Sequence, residues 1–406
     1  MRIVADPLHI AIDGNEANVT NRVGSNVYAY ELLVALEEKT RNNPTIACTI
    51  LLAQAPMSTL PQERNGWKYK IITPQKFWTQ WALPLHLFMK RGVYDIFFTP
   101  GHYAPRICPI PYVSSVMDTA YLEYPDQFTP RDRMQLTKWT AYSVEHARKI
   151  IAISHYTRRC VVEKYNRQEK DVVVAYPASN KIKEALSQEQ QAQFFAKHGI
   201  STAYILFVGT LQPRKNLGRL LDAYEIFRDE LAKNPDPEPG SKNAKKKQLF
   251  TQPPQLVLAG KVGWLAEPII EKIKKSKYAK DIIMTGYISD LEKKALISNA
   301  LCTTLVGLHE GFGIPPLEAM QYGSIPLVAN TTSLPEVVGK AGFLVDPTDI
   351  EGIAHALSRI YRLTVRERAV YLRAGREQAA QFSWGRSAEV ILKTLLAIVD
   401  QTYHTA

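Results

Sequence analysis

What most limits the fold of this chain is a recurring unit: a short unbroken apolar run, then a glycine or polar loop, then a helical pattern. Tyr204–Val208 runs into Gly209, Leu256–Ala259 into Gly260, and Leu301–Val306 into a glycine loop. Apolar runs of four to six residues without alternation read as strands covered on both faces. The first half repeats the unit at His9–Asp13, Ile46–Ala53, Tyr69–Ile72, Tyr94–Phe98, Tyr112–Val116 and Lys149–Ile153. Strands alternating with helices imply parallel sheets and the α/β class. A length of 406 residues gives room for two domains with separate cores. The expected division is 1–178 and 179–383, with the polar segment Ala178–Gln193 as linker and hinge and 384–406 as a closing helix.

The densest chemistry lies in His309-Glu310-Gly311-Phe312-Gly313-Ile314-Pro315-Pro316-Leu317-Glu318-Ala319-Met320. Pro315-Pro316 suits the first turn of a helix, where a missing N–H costs nothing, and Gly323 suits its end. The amides at such a helix start attract phosphate. Glu310 and Glu318, one on each side, can accept hydrogen bonds from sugar hydroxyls. An ordinary strand-to-helix turn, with Glu318 merely facing the helix dipole, is the competing interpretation.

The totals narrow the class. A 46% apolar and 22% charged composition describes a globular protein. No run of eighteen apolar residues is present to span a membrane, and Met1-Arg2-Ile3-Val4 opens no signal-peptide pattern, so a cytoplasmic protein is expected. Cys48, Cys108, Cys160 and Cys302 lack metal-ligand spacing and read as buried thiols in a reducing compartment. A net charge of +11 suits anionic partners: a phosphorylated substrate, an anionic membrane surface or nucleic acid. No nucleic-acid motif is recognisable, and no nucleic-acid partner is expected.

Further motifs fall in chain order. Ser25 or Asn26 is placed to cap a helix whose Val27, Tyr30 and Val34 share one face. Trp78, Trp81 and Leu85 also share a helical face, which predicts core packing. The aromatic density of Phe77–Phe88, flanked by Lys76, Lys90 and Arg91, allows membrane contact as the second interpretation. Ser154 is placed to cap the helix that follows it. After Gly209, the loop Pro213-Arg214-Lys215-Asn216 is suited to a diphosphate, Arg supplying a planar fork and Lys a compact charge. Residues 233–255, with five prolines before Gln255 as well as Lys245-Lys246-Lys247, read as a basic surface insertion. Ser333-Leu334-Pro335-Glu336 has the S-x-x-E spacing of a capping box.

Glu310 and Glu318, with seven residues between them and the filling Gly-Phe-Gly-Ile-Pro-Pro, resemble the E-x7-E signature of retaining glycosyltransferases of the GT-B fold. The resemblance is strongest to family 4, with its mannosyl- and rhamnosyltransferases, and strongest along the chain from Phe207 to Asp346. It implies two Rossmann-like domains facing across a cleft, with the closing helix crossing back onto the first. It also implies transfer of a sugar from a nucleoside-diphosphate donor to a saccharide or lipid-linked hydroxyl, with configuration retained. By the same resemblance Glu310 orients the donor sugar and Glu318 the ribose. Gly209, Arg214, Lys215 and the backbone of Gly311, Phe312, Gly313, Ile314 and Leu317 surround the diphosphate. Gly286, Tyr287 and Ile288 hold the base, while Gly24 lies near phosphates and acceptor. The family's His-Asp pair appears as Met117-Asp118, and a methionine cannot donate a proton. Either the site works without that imidazole or His102 replaces it beside Asp118. No Asp-x-Asp pair is present, so no metal and no other cofactor is expected. An epimerase or hydrolase on the same fold, a pyridoxal-dependent phosphorylase (for which no clear lysine motif is seen) and a weakened transferase stay open.

Overall fold

The structure is a computed structural model that describes residues 7–22, 24–180, 182–233 and 252–405. Most of the basic insertion, Lys245-Lys246-Lys247 included, lies outside these residues.

The chain divides into two compact units. Unit 1 contains residues 1–177 and 383–406, and its seven strands form one parallel sheet. In chain order they are β1 (Leu8–Asp13), β2 (Ile46–Leu52), β3 (Trp67–Ile71), β4 (Ile96–Thr99), β5 (Tyr112–Val116), β6 (Lys149–Ala152) and β7 (Val172–Val174). The spatial order is β3-β2-β1-β4-β5-β6-β7. Unit 2, residues 178–382, holds β8 (Tyr204–Val208), β9 (Gln255–Ala259), β10 (Ile282–Gly286), β11 (Cys302–Leu305), β12 (Ile325–Ala329) and β13 (Phe343–Val345), in the order β10-β9-β8-β11-β12-β13.

The central strands β4, β5, β8, β11 and β12 are buried at every residue. Helices therefore cover both faces, which is why these segments show no alternation in the sequence. The edge strands β3 and β10 carry exposed positions. In each sheet the strand order turns back once, between β1 and β4 in unit 1 and between β8 and β11 in unit 2. Loops at the carboxyl ends of strands beside such a reversal diverge and leave a crevice, where α/β proteins bind ligands.

The closing helix Trp384–Thr405 belongs to unit 1 and lies along the helix Ser25–Thr40. Trp384 packs its ring on Tyr28 at 5.7 Å, and Lys39 faces Glu389 at 3.7 Å.

Four local expectations need correction. The helix Ser25–Thr40 has Gly24 at its N-cap, with φ 51°, and no side-chain cap; Ser25 and Asn26 instead donate to the Glu16 carboxylate. Its buried face is Tyr28, Ala29, Leu32, Leu33 and Leu36 rather than Val27, Tyr30 and Val34. Both faces are apolar, so periodicity alone could not choose. The polar segment 178–193 ends as a linker at Ser187, whose capping box with Gln190 opens the helix Gln188–His198. Trp81 and Leu85 are not core: they are 73% and 59% exposed, while Trp78 is buried. Ser154 does cap, accepting from Thr157 N, though its helix starts at His155.

Candidate active site

The site in unit 2 is built on the reversal between β8 and β11. β11 delivers a loop that ends at Gly313, whose φ of 109° lets the chain turn into the helix Ile314–Tyr322. Pro315 and Pro316 occupy the first turn, and Gly323, with φ 88°, closes the last. The amides at this end thus come from Gly311 to Ile314, since the two prolines have none.

The loops after β8 and β11 are tied together by buried polar side chains. Asn216 Nδ2 donates to the carbonyls of Val306 and Pro347 at 2.9 and 2.7 Å. Arg214 Nη1 donates to His309 O at 2.7 Å, and Leu308 N returns a bond to Arg214 O. Ser333 is not a helix cap: it makes no side-chain cap bond and its Oγ faces the carbonyls of Glu310 and Phe312 at 2.8 and 2.9 Å. The S-x-x-E spacing was misleading because a buried hydroxyl bonds to the carbonyls beside it, and here the Glu310 loop supplies two.

These bonds aim three charges at one place. Lys215 Nζ lies 2.6 Å from Glu310 Oε1, and Arg214 Nη1 is 3.9 Å from Glu310 Oε2. The side chains of Glu310 and Lys215 are 9% and 14% exposed. A Cβ on Gly307 would come within 3.0 Å of Glu310 Oε1, so glycine there leaves the carboxylate its space. Glu318, 8% exposed, is bonded by Lys293 Nζ at 2.7 Å, and Lys293 also reaches Asp290 at 3.1 Å. Burial pushes the Glu318 carboxyl above the usual carboxylate range, with Lys293 opposing. Burial works to lower the Lys293 ammonium, yet Glu318 and Asp290 outweigh it and hold it above its ordinary value.

Gly209 follows β8 in an extended glycine conformation, and its carbonyl would lie 2.0 Å from a Cβ on Gly260. Gly260 N in turn donates to Gly286 O, which ties the turn Gly286–Ile288 after β10 to the same edge. Tyr287 there is 72% exposed, with Lys261 Nζ 5.0 Å from its ring centre. Phe312 and Leu317 are buried, Phe312 against Phe382, so neither ring nor side chain is available to a ligand; only their backbones are.

Unit 1 gathers the other expected residues at the carboxyl ends of adjacent strands. Met117-Asp118 follows β5 and Gly101-His102 follows β4. Burial lowers the His102 imidazole, which keeps it neutral at pH 7, and the charge of Asp118 opposes that shift. His102 Nδ1 is buried with no hydrogen-bond partner among the described residues. Asp118 accepts from Ala120 N at 3.1 Å. Gly24 is exposed at the start of the helix Ser25–Thr40. Sequence reasoning missed Glu16, which lies against Gly101 and accepts from Ser25 and Asn26. It also missed Lys293, whose partner is 25 positions away with no motif joining them. Among the described residues no three His, Cys, Asp or Glu side chains converge as a metal site requires.

The matches to known proteins follow this geometry. Residues 189–378 match the family described as Glycosyl transferases group 1. O-antigen chain mannosyltransferase B of Escherichia coli is 28% identical over 320 residues, covering 78% of this chain and 76% of that protein. A GDP-mannose-dependent alpha-(1-6)-phosphatidylinositol dimannoside mannosyltransferase of Mycobacterium tuberculosis is 31% identical over 149 residues, 36% of this chain and 37% of its own. In structure, Anabaena HepE in complex with UDP-glucose superposes with a TM-score of 0.68 at 15% identity, over 96% of this chain and all of that one. Two Rossmann-like parallel-sheet units of this kind are the GT-B fold, and within it residues 189–378 are similar to the group 1 glycosyltransferases.

Proposed function

We propose that the chain transfers a mannose-like sugar from a nucleoside diphosphate to a hydroxyl of a saccharide or lipid-linked acceptor, with retention of anomeric configuration. GDP-mannose is the first donor to test, because it is the donor named for one of the relatives. Surface polysaccharide synthesis is the setting suggested by another. The observation that carries the proposal is the cluster Arg214–Lys215–Glu310 beside the start of the helix Ile314–Tyr322.

In the reaction the bond from the anomeric carbon to the diphosphate oxygen breaks and a bond to the acceptor oxygen forms. The electron pair leaves with the diphosphate, and the acceptor proton is released. Charge grows on the leaving diphosphate, and Arg214, Lys215 and the amides of Gly311–Ile314 stabilise it where it appears. As Lys215 turns to phosphate, Glu310 is released to hold hydroxyls of the donor sugar. Glu318, held by Lys293, receives the ribose hydroxyls, and Gly286–Ile288 support the base. On unit 1, Asp118 and a neutral His102 serve the acceptor or the sugar. Turnover without an added divalent ion is part of the proposal, since the cationic side chains and amides take the diphosphate charge.

The test is incubation with GDP-mannose, UDP-glucose and dTDP-rhamnose, with and without mannoside acceptors, following nucleoside diphosphate release and the product anomer by NMR. Acceptor-dependent release with a product that keeps the anomeric configuration of its donor supports the proposal. Release without acceptor transfer would favour a hydrolase, and loss of turnover in EDTA, restored by manganese, would overturn metal independence.

A further inference from the structure

The segment Phe77–Arg91 is apolar on both sides, and the fold uses only one. Trp78, Ala82, Leu83 and Leu87 enter the core of unit 1. The opposite stripe, Phe77, Trp81, Leu85, Phe88 and Met89, is exposed at helical spacing. Phe77 also holds a left-handed φ of 58°, an outlier for a bulky residue, and five residues of π-helix, Trp78–Ala82, follow it. Beside this stripe an apolar groove of about 730 Å³ is lined by Trp81, Pro84, Leu85, Phe88, Ile107 and Trp139. Ile107 is 68% exposed. Exposed apolar surface of this extent marks a contact site rather than chance.

The surrounding charge selects the partner. From Asn65 to Tyr94 the sequence has Lys68, Lys70, Lys76, Lys90 and Arg91 and not one Asp or Glu. Lys76, Lys90 and Arg91 are exposed beside the stripe, with Arg91 4.5 Å over the Phe88 ring and Lys76 5.4 Å over Phe77. Arg106, exposed, stands on the groove's rim. An apolar strip rich in aromatic rings, with lysine and arginine at both ends and no acid between, matches the boundary of a bilayer, where rings sit among headgroups and cations meet anionic lipid.

We propose that this face docks unit 1 onto an anionic phospholipid bilayer, with Trp81, Leu85 and Phe88 inserted at headgroup depth and Lys76, Lys90, Arg91 and Arg106 over the lipid phosphates. The docking is independent of the transfer reaction, and its test reads no turnover. The full chain is sedimented with vesicles of phosphatidylcholine alone or with one third phosphatidylglycerol. The wild type is expected to bind the anionic vesicles, less tightly as salt rises. Trp81→Ser/Phe88→Ser and Lys90→Glu/Arg91→Glu are each expected to weaken binding at least tenfold while melting at the wild-type temperature, because all four side chains are exposed. The proposal is overturned if the wild type does not bind anionic vesicles, or if it binds and both variants bind equally well. It is also overturned if the wild type is a dimer that Trp81→Ser/Phe88→Ser converts to a monomer, which would make the face a self-interface.

Discussion

At the scale of the residue, the site works through carboxylates that are buried and paired before any ligand arrives. Removing one member of such a pair strands the other away from water, which is costlier than losing an exposed charge. Lys215→Ala is therefore expected to destabilise the fold by about 3 kcal/mol in denaturant melts. Adding Glu310→Gln should recover part of that loss, because the stranded charge is gone. Both variants should also lose affinity for GDP in calorimetry, the single Lys215 change included. Unperturbed stability would mean that the pair is not formed in solution. Asp13, at the end of β1, gives a second residue-level expectation. Burial pushes its carboxyl up to about 6, against the bonds it accepts from Asn15. A carboxyl raised on folding favours the protonated native state. Its contribution is therefore present below the unfolded value of about 4 and lost as pH rises through about 6. Asp13→Asn, which keeps an acceptor but does not titrate, should flatten stability between pH 4 and 6 in melts taken across that range.

At the scale of the element, loops are held by backbone contacts that no side-chain substitution can imitate. A Cβ at Gly260 meets the Gly209 carbonyl, whereas at Gly286 it meets open space and only the left-handed φ of 72° resists it. Gly286→Ala is expected to cost about 1–2 kcal/mol. Gly260→Ala should cost clearly more and displace the loop after β8; equal melting points for the two would remove the close approach. Ser333→Ala leaves the Glu310 and Phe312 carbonyls without their shared donor, at a cost of about 1–3 kcal/mol. Because the loop that carries Glu310 loosens, GDP affinity should fall with it, and calorimetry alongside melts separates the two effects.

At the scale of the whole molecule, the chain leaves unit 1 after Pro177, builds unit 2, and returns at Ser383 to complete unit 1. The closing helix buries Ala388, Ile391, Leu392, Leu395, Ile398 and Val399. At about 1.5–3 kcal/mol for each large aliphatic side chain, its removal forfeits on the order of 10 kcal/mol. That is comparable with the entire stability of a domain. A chain ending at Phe382 is expected to lose the cooperative unfolding of unit 1 while unit 2 still gains stability from GDP. Circular dichroism melts with and without nucleotide check this, and an unaltered first unit would show that the helix is dispensable.

The sequence by itself determined the layered α/β class. Uninterrupted apolar strands require cover on both faces, a local property of each run that no distant contact can reverse. It likewise marked Gly313, Pro315, Pro316 and Gly323, because left-handed φ values and absent N–H groups constrain a turn within a few residues. Tertiary structure alone decided the rest. Whether Trp78 or Trp81 is inside depends on which side of an all-apolar helix meets the sheet. The hydroxyl of Ser333 goes to carbonyls brought beside it from the loop after β11, against the local capping pattern. The helix Gln188–His198 buries only Phe194, too little periodicity to announce it within a polar run. Lys293 meets Glu318, and Lys215 meets Glu310, because neighbouring elements set their charges side by side. Such pairings over 25 and 95 positions leave no trace in spacing, since they depend on the packing of elements rather than on the chain between them.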